Sequence, residues 1–337
     1  MHIRCAVPCV TCLAVALCCV VRTSLAQETN PQGSTPLRVA TDIVKIETGV
    51  VDARGNFVEG LTQNDFRVLD NGAEQPVSFF ASVEAPARVL VLVETSPAVY
   101  LIHTEHLAAL YSFFGGLAPD DQVALAAYDQ TPRPVLLFTT DKNAAFAALG
   151  GVQFTIGMGD LNFYDSVSWA LDWLKPLAGK KSLLVITTGL DSSPASHWEQ
   201  LGNRLRSEDT VIFAVGLGAS LRSNPDAKTK KRGGASPEPV KEQPEDESPL
   251  VKGERALRTL ATATGGQAFF PDSPSEYAAI YRQIAGALRH QYVLGIAPAH
   301  DGQFHKLTVE AKQDPSPNGR GREPRVFVRE GYLAPGP

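Results

Sequence analysis

Three short stretches hold the side chains of this sequence best suited to chemistry: Glu94-Thr-Ser-Pro-Ala98, Gly157-Met-Gly-Asp-Leu161 and Thr187-Thr-Gly-Leu-Asp191. Hydroxyls and carboxylates gather there, with no cysteine or histidine among them. An oxygen-only donor set of this kind suits hard cations such as Mg²⁺, Ca²⁺ or Mn²⁺. The same side chains also have plain structural uses. Thr95 or Ser96 can cap a helix, Asp165 can complement the next helix dipole, and the rest can be solvated loop.

Patterns that would carry catalysis are missing. Gly218-Ala-Ser220 lacks the closing glycine of a nucleophile elbow. Gly157-Met-Gly159 lacks the third glycine of a dinucleotide fingerprint, and Ala178-Gly-Lys-Lys-Ser182 lacks the first glycine of a phosphate loop. His103-Thr-Glu-His106 does not have zincin spacing, and both histidines are expected on the solvated face of their helix. His197, His290, His300 and His305 fall near element ends without a third ligand at a workable spacing. No catalytic residue and no cofactor is expected, and the chain is read as a binding protein.

The candidate stretches need strands to position them. Residues 89–93 are a continuous apolar run, the mark of a strand buried on both faces. Ser96-Pro97 then pairs a capping serine with a proline at the first helical position, and the helix is expected to reach about residue 114. Strands follow at 123–128 and 135–138, helices at 143–149 and 164–174, a second apolar strand at 183–186, a helix at 198–206 and a strand at 211–215. A helix at 254–264, a strand at 268–270 and a helix at 275–289 continue the rhythm. Such alternation predicts a doubly wound, mostly parallel α/β sheet covered on both faces. In that architecture ligands bind beyond the carboxyl ends of the strands, at the point where the winding reverses.

Around this body, of residues 87–289, lie segments of another kind. Residues 37–86 read as strands, with 66–69 and 77–80 flanking the turn Asp70-Asn-Gly72. Strands are also expected at 292–296, 304–311 and 326–328, within the segment 290–337. Neither set alone has enough strands for a core, so the two are expected to build one small β-domain together. Residues 222–252 hold five prolines, a basic cluster, an acidic cluster and no aromatic. That composition predicts a disordered insert within the α/β body.

The first 26 residues have the regions of a secretory signal: Arg4, an apolar run and Ser24-Leu25-Ala26. Cleavage after Ala26 would leave a polar leader at 27–36 and no membrane span, so a periplasmic or extracellular site is expected. All five cysteines lie in the signal, which leaves the remainder without a disulfide. Removing residues 1–26 takes away Arg4 and Arg22 and no acid, moving the net charge from −5 to −7. That acidity argues against nucleic acid as a partner.

Further stretches carry a resemblance. Val51-Asp-Ala-Arg-Gly-Asn-Phe-Val58, Gly60-Leu-Thr-Gln-Asn-Asp-Phe66 and Val68-Leu-Asp-Asn-Gly72 precede Val89 to Ser96, Tyr164-Asp165 and Leu184-Val-Ile-Thr-Thr-Gly189. Thr264-Gly-Gly266, Leu288-Arg-His-Gln-Tyr-Val-Leu294 and Arg329-Glu-Gly-Tyr332 follow. In this order they resemble the von Willebrand factor A domain, in particular a secreted bacterial subfamily abundant in acidobacteria. The resemblance implies a binding fold used in protein–protein contact, often with a metal-ion-dependent adhesion site. The family's D-x-S-x-S falls here on Glu94, Ser96 and Ala98, its threonine on Leu161 beside Asp160, and its last aspartate on Thr188. Only Ser96 keeps the family's residue, so metal binding is not carried over. Binding is expected at Glu94, Thr95, Ser96, Asp160, Thr188 and Asp191, toward an unidentified protein partner. The alternative is cation-dependent adhesion through a rearranged shell of Glu94, Ser96, Asp160 and Asp191.

Overall fold

The computed structural model of the chain describes residues 42–52, 55–100, 103–156, 159–217, 248–312 and 324–336. The expected signal, the polar leader and residues 222–247 of the expected insert lie outside them. Four strands come first: β1 (Val44–Val51), β2 (Phe66–Asp70), β3 (Ala73–Gln75) and β4 (Phe79–Glu84). Then β5 (Arg88–Glu94), α1 (Pro97–Tyr100), α2 (His103–Gly116), β6 (Gln122–Tyr128), β7 (Arg133–Thr139), α3 (Lys142–Gly150) and α4 (Phe163–Leu174) open an alternating body. It continues with β8 (Ser182–Thr187), α5 (Ala195–Leu205), β9 (Val211–Gly216), α6 (Pro249–Ala263), β10 (Ala268–Phe269) and α7 (Tyr277–Arg289). Strands β11 (His290–Ile296), β12 (Phe304–Ala311), β13 (Arg325–Val328) and β14 (Gly331–Leu333) follow.

The body is a six-stranded sheet in the order β10-β9-β8-β5-β6-β7. Its continuous apolar strands follow from cover on both sides. Val89, Val91 and Val93 of β5 pack with Leu110 and Phe113 of α2 and Ile284 and Leu288 of α7. Leu90 and Leu92 face the other way, toward Val167 and Leu171 of α4 and Leu257 of α6. All pairings are parallel except β6 with β7. The connection from Tyr128 to Arg133 is too short for a crossover, so β7 returns antiparallel at the edge. Strand β5 pairs with both β6 and β8, so the winding reverses between β5 and β8.

Strands from the two ends of the chain interleave in two antiparallel sheets, β13-β1-β11-β4 and β14-β12-β2-β3. Ile46 and Val50 of β1, Tyr292 and Leu294 of β11, Val68 of β2 and Val309 of β12 share one core. The Tyr292 hydroxyl donates to Val58 O (2.7 Å) and accepts from Leu61 N (3.2 Å), which ties the first long loop to this core.

Several sequence expectations are corrected here. The hairpin at Asn71-Gly72 closes onto β3, not onto residues 77–80. Pro76 has no N–H to continue that ladder, and Phe79–Glu84 crosses to pair with β11 in the other sheet. The expected insert ends earlier than residue 252. Ser248 caps α6 by accepting from Val251 N, with Pro249 in the first turn, so residues 249–252 are helical. The run expected as one helix from Ser96-Pro97 is described as α1 and α2, separated by residues outside the description. Strand β14 had not been anticipated.

His106 is the sharpest reversal. Expected on a solvated face, it is fully buried, and neither ring nitrogen has a hydrogen-bond partner among the described residues. Burial pushes its pKa down to about 3.

Candidate functional site

The reversal of winding places the ends of β5 and β8 side by side, and the ends carry Glu94 and Thr187. Strand β6 brings Tyr128 into register beside Glu94 on the opposite flank. Three of the expected residues therefore meet: Glu94, Ser96 and Thr188, all buried. Glu94 Oε2 accepts from Thr188 N (2.6 Å), Thr187 Oγ1 (2.7 Å) and Thr188 Oγ1 (2.9 Å). Oε1 accepts from Ser96 Oγ at 2.5 Å.

Proton bookkeeping orders the rest of the network. The Tyr128 and Thr187 hydroxyls lie 2.5 Å apart, and Tyr128 OH is 3.5 Å from Glu94 Oε2. Since Thr187 gives its only proton to Glu94, Tyr128 donates to Thr187. Burial first, and then the Glu94 carboxylate, hold the Tyr128 hydroxyl well above its ordinary pKa, so that proton stays in place. Gly189 N also donates to Thr187 Oγ1, at 2.9 Å. The hydroxyls of Ser96, Thr187 and Thr188 thus each turn a proton toward the carboxylate. A cation there would need the same oxygens turned to present lone pairs. Ala98 has no side-chain oxygen to offer, and Leu161 is buried among apolar side chains.

The other expected residues have different employment. Thr95 donates its hydroxyl to Tyr128 O (3.0 Å) and accepts from an Arg133 guanidinium nitrogen (3.1 Å). Asp191 caps α4 by accepting from Tyr164 N (2.9 Å), and its second oxygen accepts from Ser193 N (2.6 Å). Asp160 is exposed, and among the described residues neither it nor Asp191 bonds to Glu94. Ser96 does not play the simple capping part available to it in the sequence, because its hydroxyl belongs to Glu94. Asp165, in the first turn of α4, faces His197 Nδ1 at 2.7 Å.

Thr187 opens the third candidate stretch but is not among the expected binding residues, and Tyr128 and Arg133 lie outside all three stretches. Tyr128 and Thr187 end strands on either side of β5, which is the signal that could have found them. For Arg133, on the edge strand, the sequence offers no comparable signal. Among the described residues no group of three or more His, Cys, Asp or Glu side chains could hold a metal ion, and no helix is long and apolar enough to cross a membrane.

Just outside the network the surface turns apolar. Tyr100 stacks on His103, and His103 packs on Phe154, with ring centroids 5.1 Å apart in both pairs. Ile156 is 80% exposed, and Thr155 N donates to Thr95 O at 2.8 Å, tying this rim to the floor of the site.

A doubly wound, mostly parallel sheet whose winding reverses between β5 and β8 places the chain in the Rossmann-like class of α/β folds. The structures it is similar to include von Willebrand factor type A domains and a bacterial membrane protein. One is a von Willebrand factor type A protein from Catenulispora acidiphila, at 11% identity and TM-score 0.46, covering 89% of this chain and 75% of that one. Another is an aerotolerance-related membrane protein from Bacteroides fragilis, at 14% identity and TM-score 0.43, covering 59% and 98%. A third is the vWF domain of the type V pili tip protein from Porphyromonas gingivalis, at 11% identity and TM-score 0.43, covering 60% and 95%. Identities this low concern the fold alone. No family model matches the chain, and no curated protein matches it.

Proposed function

We propose that this chain is an exported, non-enzymatic binding protein that holds a protein partner at the carboxyl end of its six-stranded sheet without a metal ion. The observation that carries the reading is the Glu94 network. A carboxylate buried under four protein donors is a structural brace, and a cation at Oε2 would displace the bonds that tie the end of β5 to the end of β8. With that brace as floor, the rim of Tyr100, His103, Phe154 and Ile156 offers an apolar contact surface beside the exposed Asp160. Exposed apolar rims bounded by polar groups mark protein-contact surfaces. The signal-like first 26 residues support export, and cell fractionation with N-terminal sequencing tests it.

Metal independence has a direct test in thermal melting of the full chain. A ligand at 100 times its Kd adds about 2.7 kcal/mol, which is readily seen. Millimolar Mg²⁺, Ca²⁺ or Mn²⁺ is expected to leave the melting temperature of the native chain unchanged. The variant Glu94→Asp, Ala98→Ser, Leu161→Thr, Thr188→Asp is expected to gain a cation-dependent rise. A rise in the native chain that Glu94→Ala abolishes would overturn the proposal in favour of cation-dependent adhesion. The contact surface is tested by Ile156→Asp, which should lose a partner that the native chain retains while melting as the native chain does.

A further inference from the structure

A cavity lies at the opposite end of the parallel strands from Glu94, where Lys180 and Lys181 lead into β8. It measures about 650 Å³ and is walled on one side by the outward faces of β1, β4 and β11. That volume suits a small molecule. Phe79, Val83 and Val293 give the wall an apolar stretch.

The charges around the cavity do not cancel. Four cationic and three acidic side chains line it. Each acid is already committed: Glu47 to Lys45 Nζ (2.9 Å), Asp209 to Lys181 Nζ (3.0 Å), and Glu208 to Arg204 Nε (3.4 Å) and the Thr210 hydroxyl (3.0 Å). Lys180 Nζ and Arg329 Nε are both buried, and neither has a hydrogen-bond partner among the described residues. Arg329 keeps only a bond from a terminal guanidinium nitrogen to Arg206 O (3.1 Å) among the described residues. Glu47 acts on both cations through space but forms no ion pair with either. Burial pushes the Lys180 pKa down to about 8, as expected of an ammonium without a counter-charge. A buried cation is normally paired, because desolvation costs several kcal/mol.

We infer that this cavity binds a small organic carboxylate, its anionic end on Lys180 Nζ and Arg329 Nε and its apolar body against Phe79, Val83 and Val293. Two unpaired nitrogens match the two oxygens of one carboxylate, and the apolar wall suits a carbon chain that inorganic phosphate lacks. The site shares no residue with the Glu94 network and stands whether or not the proposed function holds.

The test is calorimetric titration of the full chain with butanoate, hexanoate and octanoate, alongside octanol and inorganic phosphate. Each added methylene buried on the apolar wall should tighten binding about fourfold. Octanol and phosphate should bind more weakly than octanoate. Lys180→Met and Arg329→Gln should each lose octanoate binding. Lys180→Met removes an unpaired buried charge, so the ligand-free variant should melt at or above the native temperature, which separates loss of binding from loss of fold. The inference is overturned by octanoate giving no heat at millimolar concentration, by binding that persists in Lys180→Met, by phosphate binding more tightly than octanoate, or by octanol matching it.

Discussion

His106 and Glu94 are both buried polar side chains in the α/β body, and they are handled in opposite ways. Four donors from three side chains and one backbone amide converge on Glu94, whereas His106 has none. An imidazole so placed stays neutral when folded but takes up a proton once unfolded. Its folded pKa, about 3, lies below the ordinary value of 6.5, so between these limits the unfolded chain binds the extra proton and stability falls as pH falls. His106→Leu is therefore expected to stabilise the protein at pH 7 by about 1–3 kcal/mol, the cost of the unsatisfied polar atoms. The gap should widen by a further ~2 kcal/mol at pH 5, from 1.36 kcal/mol per unit of pKa shift. Chemical denaturation of both proteins at the two pH values checks this, and a gap that does not change with pH would contradict it. Neither behaviour was legible at the residue level. The sequence places Glu94 at the end of an apolar strand, but three of its four donors come from the end of β8, far away in sequence. The His103–His106 spacing does not say which face of the helix is covered, because that is set by packing far away in sequence.

Elements were more legible where their pattern was local. The apolar run of β5 implied cover on both faces, and the alternation behind it implied the parallel sheet and its switch point. The hairpin failed because the turn was recognised while its second strand was sought in the more apolar 77–80, when Pro76 already limits that arm to three residues. The start of α6 was missed although Ser248-Pro249 repeats the Ser96-Pro97 signal, since the composition of the preceding residues outweighed it. The difference can be measured. Replacing residues 222–247 by a short Gly/Ser linker should leave the melting temperature nearly unchanged, as loop-closure cost grows slowly with length. Extending the replacement through residue 252 removes the Ser248 cap, worth about 1 kcal/mol, along with the first turn of α6. It should lower the melting temperature by about 3 °C or more. Equal melting of the two variants would show that this turn contributes nothing. The turn also leads into Gly253, whose backbone lies against that of Gly189; a Cβ on either would come within 3.0 Å of the other's backbone. Gly189 has φ +76 and follows Thr188 directly, so the start of α6 helps to hold the loop that closes over Glu94.

At the scale of the whole molecule, strand β1 sits between β11 and β13, and β2 pairs with β12, so neither end of the chain can fold its sheets alone. Limited proteolysis of the intact chain should accordingly not release residues 27–81 as a stable fragment, and recovery of such a fragment would refute the shared sandwich. A chain ending at residue 299 should keep the α/β body but expose residues 44–84 to protease. The need for a shared sheet could be read from strand counts, whereas its register could not, since pairing across more than 200 residues leaves no local trace. The interleaving also imposes an order in time. A ribosome makes β1 before the α/β body, residues 88–289, and β13 after it. Helices and parallel strands with nearer partners can assemble during synthesis, while the first four strands wait for the last four. Long-range pairing of this kind is slow to form and leaves unpaired strand edges exposed until it does. Completing β11 to β14 is therefore also the step that protects β1 to β4.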